Sequence, residues 1–492
     1  MRSFLFSKIA IPLHLAFIFG YLACVQPGPE SITSYLPLAF FAAGLFEITL
    51  LFPSARKGED VDDARYRVLR GIFSDPVFFF GVAAFIFIVF QTLNGPRDLI
   101  YDRILKCWRY TPGYFRGLPA CLDMTLSFQG AFWVLVVAVS MLAVRSGLGK
   151  KGRNLLLKLM LGVASALALY GLFTYEPAEA GAPILPLATF ATPSEAGAFF
   201  LMNACAAFGL LFTEMAMEEP GKNSLRFLLF ALVANLMAAL YSLSCLVIAT
   251  LAVALVILTI YTLVFFVKEA AGELRLTTLA VTAILIAMVC FLHFVAYPKN
   301  RLHECADRIF NGPWQTEAQK AEAGVMRAAA WRMFNDNTLG GTGTWCYGHE
   351  NGMSRYLKDD EWQHISDPDS RHYICGNDFA QFLAEYGALG FALMAAPFAM
   401  ILISSIIRMF LVSRNGTKLR PGRKATTAAE IDRVNIFDIL PLNVLALAIA
   451  AGSATAISFF APVFRCPLNI LTWAVLLSLA HAQLAIPKKI QK

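Results

Sequence analysis

The stretch CLVIATLAVALVILTIYTLVFFV, residues 245–267, contains no charged side chain. A run of that length, helical at about 1.5 Å per residue, spans the ~30 Å apolar core of a bilayer. Similar blocks recur along the chain, at 4–24, 33–53, 76–94, 126–145, 154–175, 196–217, 226–243, 278–297, 380–412, 437–460 and 466–486. Backbone polar groups cannot be left unpaired in lipid, so a chain of such blocks must fold as a helical bundle. Only 15% of the 492 residues are charged, against about 25% in soluble domains. The sequence therefore predicts an all-α, polytopic membrane protein of about 12 spans forming one membrane domain. Spans one to nine occupy 1–297, a large extracytoplasmic loop with short helices fills 298–378, and spans ten to twelve with a tail occupy 379–492. The first block reads as an uncleaved span rather than a signal peptide, because no small-residue cleavage site follows it.

The basic residues fix the expected orientation. Five fall in SARKGEDVDDARYRVLRG, four in VRSGLGKKGRN, six in SRNGTKLRPGRKATTAAEIDR and three in the tail PKKIQK. All four segments lie on one side if both termini are cytoplasmic, as the positive-inside rule requires. This distribution also accounts for the formal charge of +7 without invoking nucleic acid as a partner. One loop departs from the pattern. Residues 94–124 carry five basic residues yet fall outside. They are expected to form an amphipathic helix at the membrane surface, anchored by Trp108, Tyr110, Tyr114 and Phe115.

Three polar stretches interrupt the apolar pattern. In GVMRAAAWRMFNDNTLGGTGTW, Arg327 and Trp331 share a helical face ahead of Asn337 and a turn with Gly340, Gly341 and Gly343. A guanidinium beside a glycine turn suits a phosphate or diphosphate; a solvated arginine and an ordinary turn fit the same spacing. In ICGNDFAQFLAEYGALG, Asn377, Gln381 and Glu385 recur at i, i+4 and i+8, with Asp378 beside the first. That stripe fits a wet cavity mouth, with Gly387 to Gly390 allowing a bend. It fits equally a capping Asn377 and a Glu385 paired with an arginine. In ATFATPSEAGAFF, Thr192 and Glu195 precede an apolar run, as at either a re-entrant entrance or a plain helix cap.

Ten cysteines occur with no CxxC pair, so thiolate metal binding is unsupported. In an oxidising compartment, Cys107–Cys121 and then Cys346–Cys375 are the expected disulfides.

Taken together, the three stretches resemble the O-antigen ligase and O-antigen polymerase superfamily of membrane glycan transferases. The first resembles that family's Arg, Trp and Gly-x-Gly elements at Arg327, Trp331, Gly341 and Gly343. The second resembles its Asn-x-x-x-Gln-x-x-x-Glu-x-Gly-x-x-Gly pattern at Asn377, Gln381, Glu385, Gly387 and Gly390. The third resembles its Gly-Thr-Phe element. Two family positions differ: Gly376 stands where the family has a histidine, and Cys245 where it has an arginine. The resemblance implies transfer of a glycan from an undecaprenyl diphosphate carrier to a lipid or glycan acceptor, at the outer face of a bacterial inner membrane, without metal or other cofactor. It implies that Arg327 and Arg371 hold the diphosphate and that Asn377, Gln381 and Glu385 hold diphosphate or glycan. His372 or Asp378 would take the acceptor proton in place of the missing histidine. Two rival readings are a catalytically inactive family member and a transporter- or flippase-like export component. A transporter should show mid-span charges in repeat-related helices, and few such charges occur.

Overall fold

The computed structural model describes residues 2–25, 32–55, 59–104, 107–111, 113–175, 187–216, 221–269, 317–348, 352–358, 360–365, 375–415 and 440–484. Thirteen helices account for most of them. In chain order they are α1 (Arg2–Val25), α2 (Ile32–Leu51), α3 (Val61–Phe73), α4 (Pro76–Leu93), α5 (Met124–Leu142), α6 (Lys150–Phe173), α7 (Pro193–Met215), α8 (Lys222–Tyr241), α9 (Cys245–Glu269), α10 (Glu317–Asp336), α11 (Asp378–Asn415), α12 (Leu442–Ser458) and α13 (Pro467–Gln483). Seven are long and apolar enough to cross a membrane by length and composition. The chain is thus an all-helical protein of the membrane-spanning class. Helices cover every expected span except 278–297, which lies outside the described residues.

α7 sits at the centre, packed by α8, α9 and α12, while α4 and α2 flank α5 and α1 lies on α6. One large apolar core joins these helices. Successive helices reverse direction, so their connections fall at two ends. At one end Thr189 Oγ1 donates to the Ala23 carbonyl (2.9 Å) and Gln91 Nε2 to the Gly340 carbonyl (2.6 Å). At the other, Arg145 meets Asp75 (2.6 Å) and Arg153 Nη1 donates to the Ala482 carbonyl (2.6 Å). The basic segments around 54–75 and 145–153 therefore share that second end.

Two expectations are corrected, and one helix is added. The loop after α4 forms no helix among its described residues; it carries a two-stranded antiparallel hairpin, β1 (Leu99–Asp102) and β2 (Cys107–Tyr110), with Leu99 opposite Tyr110. Short alternating runs pair across a tight turn more readily than they sustain a helix of marginal length. The basic loop 54–75 contains α3, whose Ala64, Val68 and Ile72 are buried, an amphipathic pattern hidden by its charges. The disulfides are absent as well. Cys121, Cys346 and Cys375 are all free thiols. Cys346 Sγ points at the Asp123 carbonyl, 3.9 Å away, whereas Cys375 lies at the mouth of α11 against Gln381.

The described residues between α10 and α11 pack against the start of α11 through a small apolar cluster. Met326, Ala330 and Met333 of α10 meet Tyr347, Met353 and Ile365, and Ala380 and Ala384 of α11 close the layer.

Candidate functional site

The site begins with a broken helix. α11 is interrupted at Gly387, whose φ of 65° and ψ of −179° are open only to glycine. The break leaves carbonyls 384 and 385 without intrahelical donors, and amides 388 and 389 without acceptors. The glycine turn supplies both sets. The Thr342 and Gly343 amides donate to the Ala384 and Glu385 carbonyls at 3.1 and 2.9 Å. The Ala388 and Leu389 amides donate to the Thr338 and Leu339 carbonyls at 2.7 and 3.3 Å. Gln91 of α4 bridges the two, donating to Gly340 and Glu385 carbonyls.

The approach is close. A Cβ on Gly341, whose φ is +64°, would lie 2.3 Å from the Glu385 carbonyl oxygen. With the Gly341 amide also spent on Asn337 (2.8 Å), the turn offers no free N–H at 341, 342 or 343 to an anion. The glycines splice a helix rather than cradle a phosphate, so any binding charge must come from side chains.

The first half of α11 carries those side chains. Asn377 accepts from the Ala380 amide (3.0 Å) and caps the helix. Gln381 and Glu385 are each 2% exposed and turn into protein, not lipid. Gln381 Nε2 donates to Glu385 Oε1 (3.0 Å), which also accepts from the Tyr347 amide (3.3 Å). Gln381 Oε1 accepts from the Cys375 amide (3.2 Å). Asp378 Oδ2 accepts from the Val463 and Phe464 amides, both at 2.8 Å, and its Oδ1 has no partner.

Those two amides belong to the connection between α12 and α13, and the next residue is Arg465. Its side chain is held among acids: its charge reaches Asp378, Glu385 and Glu195. Its guanidinium carbon lies 4.9 Å from the Trp345 ring centroid, and its Nη1 has no hydrogen-bond partner. Trp345 itself has φ 63°, a conformation costing a bulky residue about 1–2 kcal/mol. The turn that splices α11 thus also holds an indole beneath the arginine. Glu195 belongs to a complete capping box on α7: Thr192 Oγ1 accepts from the Glu195 amide (3.2 Å) and Glu195 Oε2 from the Thr192 amide (3.0 Å). Asn469 ties this helix start to the Arg465 loop, donating to the Glu195 and Val463 carbonyls, both at 3.0 Å.

Arg327 stands on the neighbouring face of α10, half-buried, with a buried Nε that has no partner. Its charge acts on Cys375, whose thiol burial pushes up to about 11. Tyr347 links α10 to the stripe, its hydroxyl donating to the Met326 carbonyl (2.8 Å) and its amide to Glu385 Oε1 (3.3 Å). A Cβ on Gly376 would sit 3.3 Å from Ala323, one turn before Arg327 on α10. Arg371 and His372 lie outside the described residues.

Of the residues singled out from sequence, Asn377, Asp378, Gln381 and Glu385 therefore lie together at one end of the bundle, with the helix that carries Arg327 packed beside them. Arg465 and Trp345 were missed. The available signal was a lone cation in the short connection FFAPVFRCPLN, between two apolar blocks. Three buried acids around one buried arginine are expensive in a membrane helix bundle, which marks the cluster as a functional candidate.

The fold and this cluster define an integral membrane protein with a buried ionic site at one end. No family model matches the chain, and a search of curated proteins finds no relative.

Proposed function

We propose that the protein transfers a glycan from an undecaprenyl diphosphate carrier to a lipid or glycan acceptor, at the outer face of a bacterial inner membrane. The observation that carries this reading is the meeting of the α11 stripe, the Arg327 helix and Arg465 around the glycine splice. Separate resembling stretches converge there, and Arg465 follows directly on the two amides that hold Asp378, whose Oδ1 has no partner.

In this reading Arg465 and Arg327 hold the diphosphate. Trp345 stacks under Arg465 and offers an apolar face to a sugar ring. The acceptor oxygen attacks the anomeric carbon as the carbon–oxygen bond to the diphosphate breaks. Undecaprenyl diphosphate departs with that electron pair, and the acceptor proton passes to Asp378 Oδ1 or to His372. Asn377, Gln381 and Glu385 hold diphosphate or glycan beside them, and Glu385 also accepts from the Tyr347 amide. Arg465 takes the place of the arginine lacking at Cys245. An export component would move the lipid-linked glycan without making a glycosidic bond.

The test is reconstitution in nanodiscs with an undecaprenyl diphosphate-linked oligosaccharide and a lipid acceptor. Wild type is expected to form the glycosidic product. Arg465→Lys should lose at least tenfold in rate at unchanged protein level, because a point charge does not replace a planar fork of donors. Asp378→Asn and His372→Ala separate the two proton acceptors. No product from wild type, or full activity in both Arg327→Ala and Arg465→Ala, overturns the proposal.

A further inference from the structure

The opposite end of the bundle holds a second charged cluster that the transfer reading does not use. Arg145 closes α5 through a single π-helical turn, Ala143–Gly147. Its Nε donates to Asp75 Oδ2 (2.6 Å), while Asp75 Oδ1 caps α4 at the Val77 amide (3.0 Å). Arg153 of α6 donates to the Ala482 carbonyl (2.6 Å) and the Arg145 carbonyl (3.3 Å). Arg408 of α11 donates to the His481 carbonyl (3.3 Å). The three guanidinium groups interact repulsively with one another.

Among the described residues, the charged or titratable groups that face them are Asp75 and His481. Asp75 is the one acid, and His481 has its Nδ1 against the hydroxyls of Ser405 (2.8 Å) and Ser404 (3.2 Å). Three arginines against one aspartate leave at least two positive charges unbalanced among the described residues. Arg145 Nη1 and Arg153 Nε are buried without partners. Carbonyl contacts position these side chains but neutralise none of that charge, and buried cations left unpaired are costly.

An apolar groove lies beside the cluster. It has a volume of about 300 Å³ and runs between α2, α4 and α5, lined among others by Ala42, Phe78, Gly81, Val82, Ala138 and Leu142. Gly81 and the alanines make the depression, because small side chains leave room that neighbouring Phe78 and Leu142 wall in. Phe78 follows Asp75 by three residues and Leu142 precedes Arg145 by three, so the groove starts about one helical turn from the ion pair. The second end is the one the basic loops mark as cytoplasmic, where anionic headgroups attract arginines.

We propose that Arg145, Arg153 and Arg408 bind the phosphate of an anionic phospholipid whose acyl chain lies in the groove between α2, α4 and α5. The arginine forks match phosphate oxygens, and the groove selects a lipid over a free phosphate. The proposal is independent of the glycan-transfer reading, since it concerns the other end of the bundle.

Native mass spectrometry of the full-length protein in detergent, with added phosphatidylglycerol, phosphatidylcholine or inorganic phosphate, tests it. One phosphatidylglycerol should be retained in preference to phosphatidylcholine. Arg408→Gln should weaken retention about fivefold, the effect of one basic side chain at an anionic surface. Val82→Trp, at a position 41% exposed, fills the groove and should weaken it comparably without disturbing the core. If Arg408→Gln fails to fold, the groove variant alone carries the test. Equal retention of both phospholipids, or retention unchanged in the folded variants, overturns the proposal. Inorganic phosphate competing equally in wild type and Val82→Trp overturns the groove arm and leaves a free anion as the ligand.

Discussion

α7 and α9 are both long apolar helices, and α9 is the more apolar of the two, yet 94% of the α7 span is buried inside the protein against 28% of the α9 span. Hydropathy does not rank them because lipid tails are as apolar as a protein core, so burial brings no hydrophobic gain within the membrane. Residue size ranks them instead. α7 presents Ala196, Gly197, Ala198, Ala204, Ala206, Ala207 and Gly209, which let neighbours approach on all sides. α9 displays Val253, Val256, Ile257 and Ile260 outward, each at least 46% exposed. The central helix is the one that can be approached closely, and it also carries Glu195 into the site.

The comparison breaks most visibly at Gly209. A Cβ there would lie 2.3 Å from the Ala446 Cβ. Gly209→Leu should therefore cost about 3 kcal/mol or prevent folding, as overpacking does. Val256→Leu on α9, at a position 57% exposed, should change stability by less than ~0.5 kcal/mol. Unfolding of both variants in detergent decides the matter; equal losses would remove size as the explanation.

A second pair sharpens the same point with smaller effects. At Gly387 an added Cβ would meet Leu339 backbone atoms at 2.5 Å in a left-handed conformation, whereas at Gly452 of α12 it would meet nothing within 4 Å. Gly387→Ala should cost about 2 kcal/mol. Gly452→Ala should be neutral or stabilise by ~0.5–1 kcal/mol, through lower chain entropy in the unfolded state. Thermal melts of the two variants measure the difference.

The smallest effect lies outside the bundle. Arg332 of α10 holds Glu361 through two nitrogens, at 2.5 and 2.7 Å. Those bonds lower the Glu361 carboxyl from the ordinary 4.5 to about 2. A depressed acid contributes stability that is complete above its unfolded value and fades as pH falls from about 4.5 towards 2. Protection factors across 352–365, corrected for the intrinsic pH dependence of exchange, should therefore fall between pH 5 and pH 3, while those in α7 stay unchanged. No change in 352–365 would show that this pair does not hold the loop.

Much of the site was legible as spacing. Asn377, Gln381 and Glu385 share a face in any helix, so their alignment followed from the period alone. A bend between Gly387 and Gly390 was legible from the two glycines, and the structure places it at Gly387. What the glycine turn does was not legible. From its composition it suits a phosphate, but its amides are consumed by the Ala384 and Glu385 carbonyls, and which acceptor reaches a free N–H is a long-range fact. The hairpin after α4 and the buried face of α3 were missed for a related reason: charge and aromatic content outweighed short local patterns.

The sequence by itself determined that this chain is a bundle of apolar helices, because uninterrupted runs of about 20 apolar residues have no other stable form in lipid. It also determined which connections are basic and that α11 can bend between Gly387 and Gly390. Only the tertiary structure decided that α7 is central, since close approach depends on what the facing helices present. It alone placed Arg465 over Trp345, beside acids from α7 and α11. That residue is one cation in a short connection until Asp378 takes the two amides before it, and a contact across 85 and 86 residues leaves no periodic trace along the chain.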